Sequence, residues 1–307
     1  MQQDSVAIGA PGAPALWLTV LMGVSFAVIW SSAFSVGKIM VTHTPPFGIS
    51  ALRFAVSAAL AGGLAWALGQ RLPRGREAWR AILLLGLCQN TLYLGFFFTS
   101  MTMIPAGLAA VLASAMPLVV AALAPAVLKE RVTALKALGL AVGFAGVLWI
   151  MGTRIAGGID LGGIALAVAG TLGLAVATLT IKRIEFGTGL LMVVACQMAV
   201  GGVGCLILTL ALELGLPWDV TEATLPFLLP AFAFQVLVPG IGATLLWFAL
   251  VKRVSAAGAS SFHFLNPALG IGFAWVLLGE AVGPTDVLGV VLVAVGILMV
   301  NRTWQRG

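Results

Sequence analysis

The chain has 307 residues, 61% of them hydrophobic and only 8% charged, and its mean hydropathy is +1.13. That charge is too sparse to cover a water-soluble domain of this length, so the composition excludes one and predicts an all-α integral membrane protein. The net charge of +6 needs nothing beyond anchoring at an anionic leaflet, and no nucleic-acid-binding motif accompanies it.

A membrane-spanning helix takes about 20 apolar residues. Ten such stretches follow one another with short connections, at 17–39, 47–69, 80–101, 105–128, 133–151, 160–182, 188–212, 226–250, 255–279 and 284–301. Residues 1–16 are a short tail without the basic start of a secretory signal, so the first span is expected to be retained. In that span Trp30, Ser31, Phe34 with Ser35, and Lys38 recur at three- and four-residue spacing and share a helix face. Span two carries Arg53 in "SALRFAVSAAL". Span three aligns Gln89 or Asn90, then Tyr93, then Phe96 or Phe97. Span four, "AVLASAMPLVVAALAPAVLKE" at 110–130, has Pro117 near its middle and Glu130 at its end, and span five has Gly139 and Gly146.

In the second half, span eight carries Gln235 and Trp247 on either side of Pro239 and Gly240, which are expected to interrupt the helix at the depth of Gln89 and Asn90. Span nine, "SSFHFLNPALGIGFAWVLLGE" at 260–280, sets Ser260, His263, Phe264 and Pro267 on one stripe with Asn266 beside it. Span ten repeats the glycine pair as Gly289 and Gly296.

An unsatisfied polar group in hydrocarbon costs several kcal/mol, so these mixed polar and aromatic faces must turn inward. They read either as the walls of a substrate cavity or as hydrogen bonds that join helices. His263 is the sharper candidate for the cavity. Proline lacks an N–H and bends a helix, so Pro117, Pro267, Pro239 and Gly240 are expected as hinges, with Pro267 freeing a carbonyl. The glycine faces of spans five and ten are read as a tightly packed scaffold away from the site, or as a dimer contact, which leaves monomer and homodimer both open.

Spans four and nine align without a gap at an offset of 150: Pro117 falls on Pro267 and Glu130 on Glu280. Gly139 falls on Gly289, Gly146 on Gly296 and Phe98 on Phe248. The chain therefore divides into five-span halves, 17–151 and 160–302. An odd span count inverts the second half, an arrangement suited to alternating access around a midplane site. Thirteen of the 16 basic residues fall in the tails and loops on one side: Arg71, Arg74, Arg76 and Arg80, then Lys129, Arg131 and Lys136, then Lys182, Arg183, Lys252, Arg253, Arg302 and Arg306. Basic residues resist translocation, which places both termini in the cytoplasm.

No Asp or Glu stands at the centre of a span, so no carboxylate proton relay is written here. There is no Walker A sequence, no H-E-x-x-H and no G-x-S-x-G, so neither ATP hydrolysis nor intramembrane proteolysis is expected. Cys88, Cys196 and Cys205 lie inside spans and suggest apolar packing, without a disulfide framework or a metal site. No cofactor is called for.

These features, with "IWSSAFSVGKIM" in span one, the Arg of span two, and a Pro followed by a terminal Glu in spans four and nine, resemble the EamA-type permeases of the drug/metabolite transporter superfamily. The run from Leu85 to Arg131 is most similar to the bacterial amino-acid exporters of that superfamily. The resemblance implies an inner-membrane protein that exports aromatic and other neutral, apolar amino acids and related metabolites. It also implies a central cavity lined by spans one, three, four, six, eight and nine. A multidrug or nucleotide-sugar-type carrier is the alternative, and a passive channel another. Lys38 and Arg53 are placed toward the outer ends of their spans, which disfavours anionic sugar phosphates. Glu130 and Glu280 are read as helix-end caps.

Overall fold

The computed structural model describes residues 16–128, 134–156, 158, 160–183, 185–254 and 259–302. Most of the N-terminal tail, Lys129, Glu130, Arg131 and Arg306 lie outside the described residues, as do the side chains of Phe264, Lys136, Arg154, Lys182, Arg183 and Arg302. Among the described residues there is no strand. That follows from the sequence: in hydrocarbon, a lone apolar segment satisfies its backbone only by coiling.

The helices are α1 (Leu16–Val41), α2 (Pro46–Ala67), α3 (Arg76–Met103), α4 (Ala106–Ala113, then Met116–Leu128), α5 (Ala134–Ala156), α6 (Leu161–Arg183), α7 (Leu190–Leu212), α8 (Leu225–Arg253), α9 (Ser261–Leu265, then Asn266–Leu278) and α10 (Pro284–Arg302). Seven of them, α1 to α4 and α6 to α8, are long and apolar enough to cross a membrane. The other three of the ten expected spans, α5, α9 and α10, carry the shorter apolar stretches Ala137–Gly146, Asn266–Leu278 and Pro284–Gly296 among the described residues.

Four of these elements are irregular, and the irregularities come in pairs. Both α3 and α8 widen into π-helix, at Gly86–Gly95 and Val236–Ala243. The two stretches start at Gly86 and Val236, 150 positions apart. Pro239 and Gly240 therefore do not interrupt α8. Proline cannot give the i−4 hydrogen bond, and the wider π turn carries the chain past it.

The second pair is in α4 and α9. α4 breaks at Ser114 and Ala115, and α9 passes from a 3-10 turn to α-helix at Asn266. Pro117 and Pro267 are each the second residue of the helix that follows, where the missing N–H costs least. The carbonyl that Pro267 was expected to free is occupied, because the Asn266 N–H donates to His263 O. At the α4 break, Leu112 O accepts from the Thr171 hydroxyl of α6 at 3.2 Å.

Packing follows the same pairing. The most extensive helix contacts join α2 to α7 and α5 to α10, each an element with the one five places on. α3 packs on α6 as α8 packs on α1, and α4 meets α9. Between α5 and α10 the glycines let backbones touch. A β-carbon on Gly296 would overlap Gly143, and one on Gly146 would lie 2.9 Å from Gly289 O.

Two carboxylates close helix starts. Glu213 accepts the Phe47 and Gly48 N–H groups, both at 2.9 Å. Glu280 accepts those of Ala106 and Gly107 at 2.7 and 3.0 Å. A carboxylate at a helix N-terminus satisfies orphan donors and opposes the helix dipole. The cap expected of Glu280 is present, on the neighbouring helix α4.

Candidate functional site

Small residues and π turns leave side chains along α1, α2, α3 and α8 that do not fill the space between these helices. The cavity that remains there is narrow, about 20 Å³, room for one water. α1 lines it with Trp30 and Phe34, α2 with Arg53, and α8 with Gln235, Pro239 and Gly240. α3 closes it with Phe97 and Phe98. The Phe34 and Phe97 rings meet edge to face at 5.6 Å, so the wall is mostly aromatic.

The polar end is made by two residues. Arg53 Nη1 donates to Gln235 Oε1 at 3.1 Å, and Gln235 Nε2 donates to Ala33 O at 2.6 Å. Arg53 is 2% exposed. Its guanidinium carbon lies over the rings of Phe54 and Phe98, 4.4 Å from each centroid. Lys38 is spoken for, since its Nζ donates to the carbonyls of Met101 and Ile104.

Beside the cavity, and sharing Trp30 with it, lies a closed polar and aromatic cluster. Ser31 Oγ donates to Asn266 Oδ1 at 3.1 Å, and Asn266 Nδ2 reaches His263 Nδ1 at 2.8 Å. With the amide donating, the imidazole carries its proton on Nε2, which has no partner. The imidazole stands edge-on to Phe26 at 5.2 Å and to Trp247 at 5.1 Å. Trp30 Nε1 donates to Tyr93 Oη at 2.9 Å, with the two rings nearly parallel.

The residues expected at the site thus separate. Trp30, Phe34, Gln235, Pro239 and Gly240 line the cavity. Ser31, Tyr93, Trp247, His263 and Asn266 are buried in the adjoining cluster. Hydrogen bonds join Ser31, Asn266 and His263 and tie Tyr93 to Trp30, while Trp247 Nε1 and His263 Nε2 have no partner. Ser260 is buried nearby, and Pro267 and Pro117 sit at the starts of helices.

Asn90 belongs to neither group. Its Nδ2 donates to Gln197 O at 2.9 Å, so it binds α3 to α7 as Gln235 binds α8 to α2. Gln89 is fully buried, and neither of its amide atoms has a partner. The cavity wall expected from spans one, three, four, six, eight and nine comes from α1, α2, α3 and α8 instead. Arg53 is the main omission: counting residues puts it near a helix end, but that end is covered by the bundle.

A model of the EamA-like transporter family matches residues 17–152 and matches again at 161–302. The chain belongs to that family. It is therefore a multi-pass membrane transporter, matched once in each half of the chain. The transporter YvbV of Bacillus subtilis is 27% identical over 288 residues, covering 92% of this chain and 91% of that protein. The probable terminal-alkyne amino-acid exporter of Streptantibioticus cattleyicolor is 29% identical over 293 residues, 94% and 93% of the two chains. A crystal structure superposes on 94% of this EamA-like transporter and 98% of its own chain, with a TM-score of 0.69 at 20% identity, a likeness of fold.

Proposed function

We propose that this EamA-like transporter exports neutral, mainly apolar or aromatic amino acids across the bacterial inner membrane. It does so by alternating access, with ten spans in two inverted halves and both termini in the cytoplasm. The observation that carries the reading is a difference between equivalent positions of the two halves. Pro239, Phe97 and Phe98 line the cavity. Their counterparts at the 150-residue offset, Gln89, Trp247 and Phe248, do not line it, and all six residues are buried. Gln89 keeps both amide atoms unpaired there, and Trp247 keeps its indole N–H unpaired. A buried polar group without a partner costs about 1–3 kcal/mol, and such groups in a native protein call for an explanation. A second cavity, opening on the other face as the first one closes, would hydrate them. An inverted repeat provides such a pair of states.

The amino-acid part rests on the cavity's make-up, aromatic walls with one polar end, and on the exporter named among the relatives. Among the described residues no acidic side chain lines the cavity, so the substrate gradient is the expected driving force. Counterflow of labelled phenylalanine, methionine or threonine in proteoliposomes tests the reading. Saturable counterflow is expected, and collapse of a pH gradient should leave its initial rate within about twofold. Unsaturable flux would instead indicate a channel, and failure of all three amino acids to move would exclude the substrate class.

A further inference from the structure

Arg53 is a buried cation whose charge the protein itself leaves uncompensated. It stands seven residues into α2, about 10 Å along the helix. Among the described residues no carboxylate pairs with it, since the ion pairs there join His43 to Asp219 and Lys252 to Glu185. Nη1 is taken by Gln235, while Nε and Nη2 have no partner. The guanidinium carbon also stands over the rings of Phe54 and Phe98, so the Nε–Nη2 edge is what it can offer.

That edge is one of the two that match a carboxylate with parallel hydrogen bonds. Holding an unpaired charge out of water is costly, and an anion on that edge would relieve the cost. Lys38, the other cation near this end of α1, is bonded to two carbonyls, so a single positive charge serves the cavity. A monoanion fits it better than a phosphate dianion.

We propose that Arg53 anchors the substrate carboxylate, with both oxygens on its Nε–Nη2 edge and the apolar body against Phe34, Phe97 and Met101. This assignment rests on the transport reading of the same cavity. With no acidic residue among the described residues of the lining, an ammonium group meets aromatic rings and the Gln235 amide, without a counter-charge. The carboxylate is therefore required, and the amino group is dispensable.

Three probes of one shape separate these roles: L-phenylalanine, 3-phenylpropanoate and 2-phenylethylamine. Calorimetric binding to the full-length protein in nanodiscs should give the two carboxylates affinities within about tenfold of each other, with the amine at least about tenfold weaker. Arg53→Gln should weaken both carboxylates by about tenfold or more, and Arg53→Lys less. An amine that binds as well as phenylalanine overturns the anchor. So does unchanged affinity in Arg53→Gln, or failure of both carboxylates to bind. The probe series on the unaltered protein decides the matter even if the variants do not fold. Phenylalanine flux without 3-phenylpropanoate binding would sink the anchor and leave transport standing, whereas carboxylate binding without any flux would do the reverse.

Discussion

Asn266 accepts a hydrogen bond from Ser31 and gives one to His263, so a single amide ties α1 to α9 beside the cavity. None of the three lines the cavity. Asn266→Ala would strand the Ser31 hydroxyl and His263 Nδ1 together in a dry interior. We expect a stability loss of about 1–3 kcal/mol, read as a lower unfolding temperature in detergent, with substrate affinity changed less than about threefold. A tenfold loss of affinity at unchanged stability would mean that this chain reaches the substrate after all. Residue types were legible in the sequence here, but their partners were not. His263 and Asn266 could be seen to need an inward face. Whether that face met an open cavity or Ser31 depended on a helix more than two hundred residues away. Arg53 was harder still, because what buries it is Phe98 of α3 and Gln235 of α8, and nothing in "SALRFAVSAAL" announces either.

Apolar length predicted ten spans, of which seven are long apolar helices among the described residues. Pro239 and Gly240 marked an irregular α8, while only polar residues marked that depth in α3. The form of that irregularity could not be read. A π turn leaves no mark in composition, yet it decides which neighbours share a face. That is why Asn90, grouped by spacing with Tyr93, turns instead to Gln197 on α7. The glycine pairs were more transparent, because only a backbone approach explains Gly146 and Gly296 at equivalent places. Gly296→Ala should overfill the α5–α10 contact, with a cost of about 1–3 kcal/mol. Gly272→Ala, where a β-carbon meets nothing within 4 Å, should be neutral or slightly stabilising, since alanine is the better helix former by about 0.8–1 kcal/mol. Thermal unfolding of the two variants side by side checks this. Equal effects would mean that helix propensity, and not close packing, governs α10.

Across the whole molecule, Pro239 and Phe97 line the cavity while their equivalents Gln89 and Trp247 stand outside it with unpaired polar atoms. The buried acids take no part in this asymmetry. Glu213 caps α2, and Asp286 accepts the Gly283 N–H at 2.9 Å. Two cavities that open in turn on opposite faces would account for it. Phe97 on α3 and Trp247 on α8 are equivalent positions that report on them directly. With Cys88, Cys196 and Cys205 replaced, Phe97→Cys and Trp247→Cys can be challenged with a membrane-impermeant maleimide from each side of oriented vesicles. Phe97→Cys should react from outside and Trp247→Cys from the cytoplasmic side, with phenylalanine changing both rates. Reaction of both cysteines from the same side, or of Trp247→Cys from neither, would contradict alternating access through this pair of cavities.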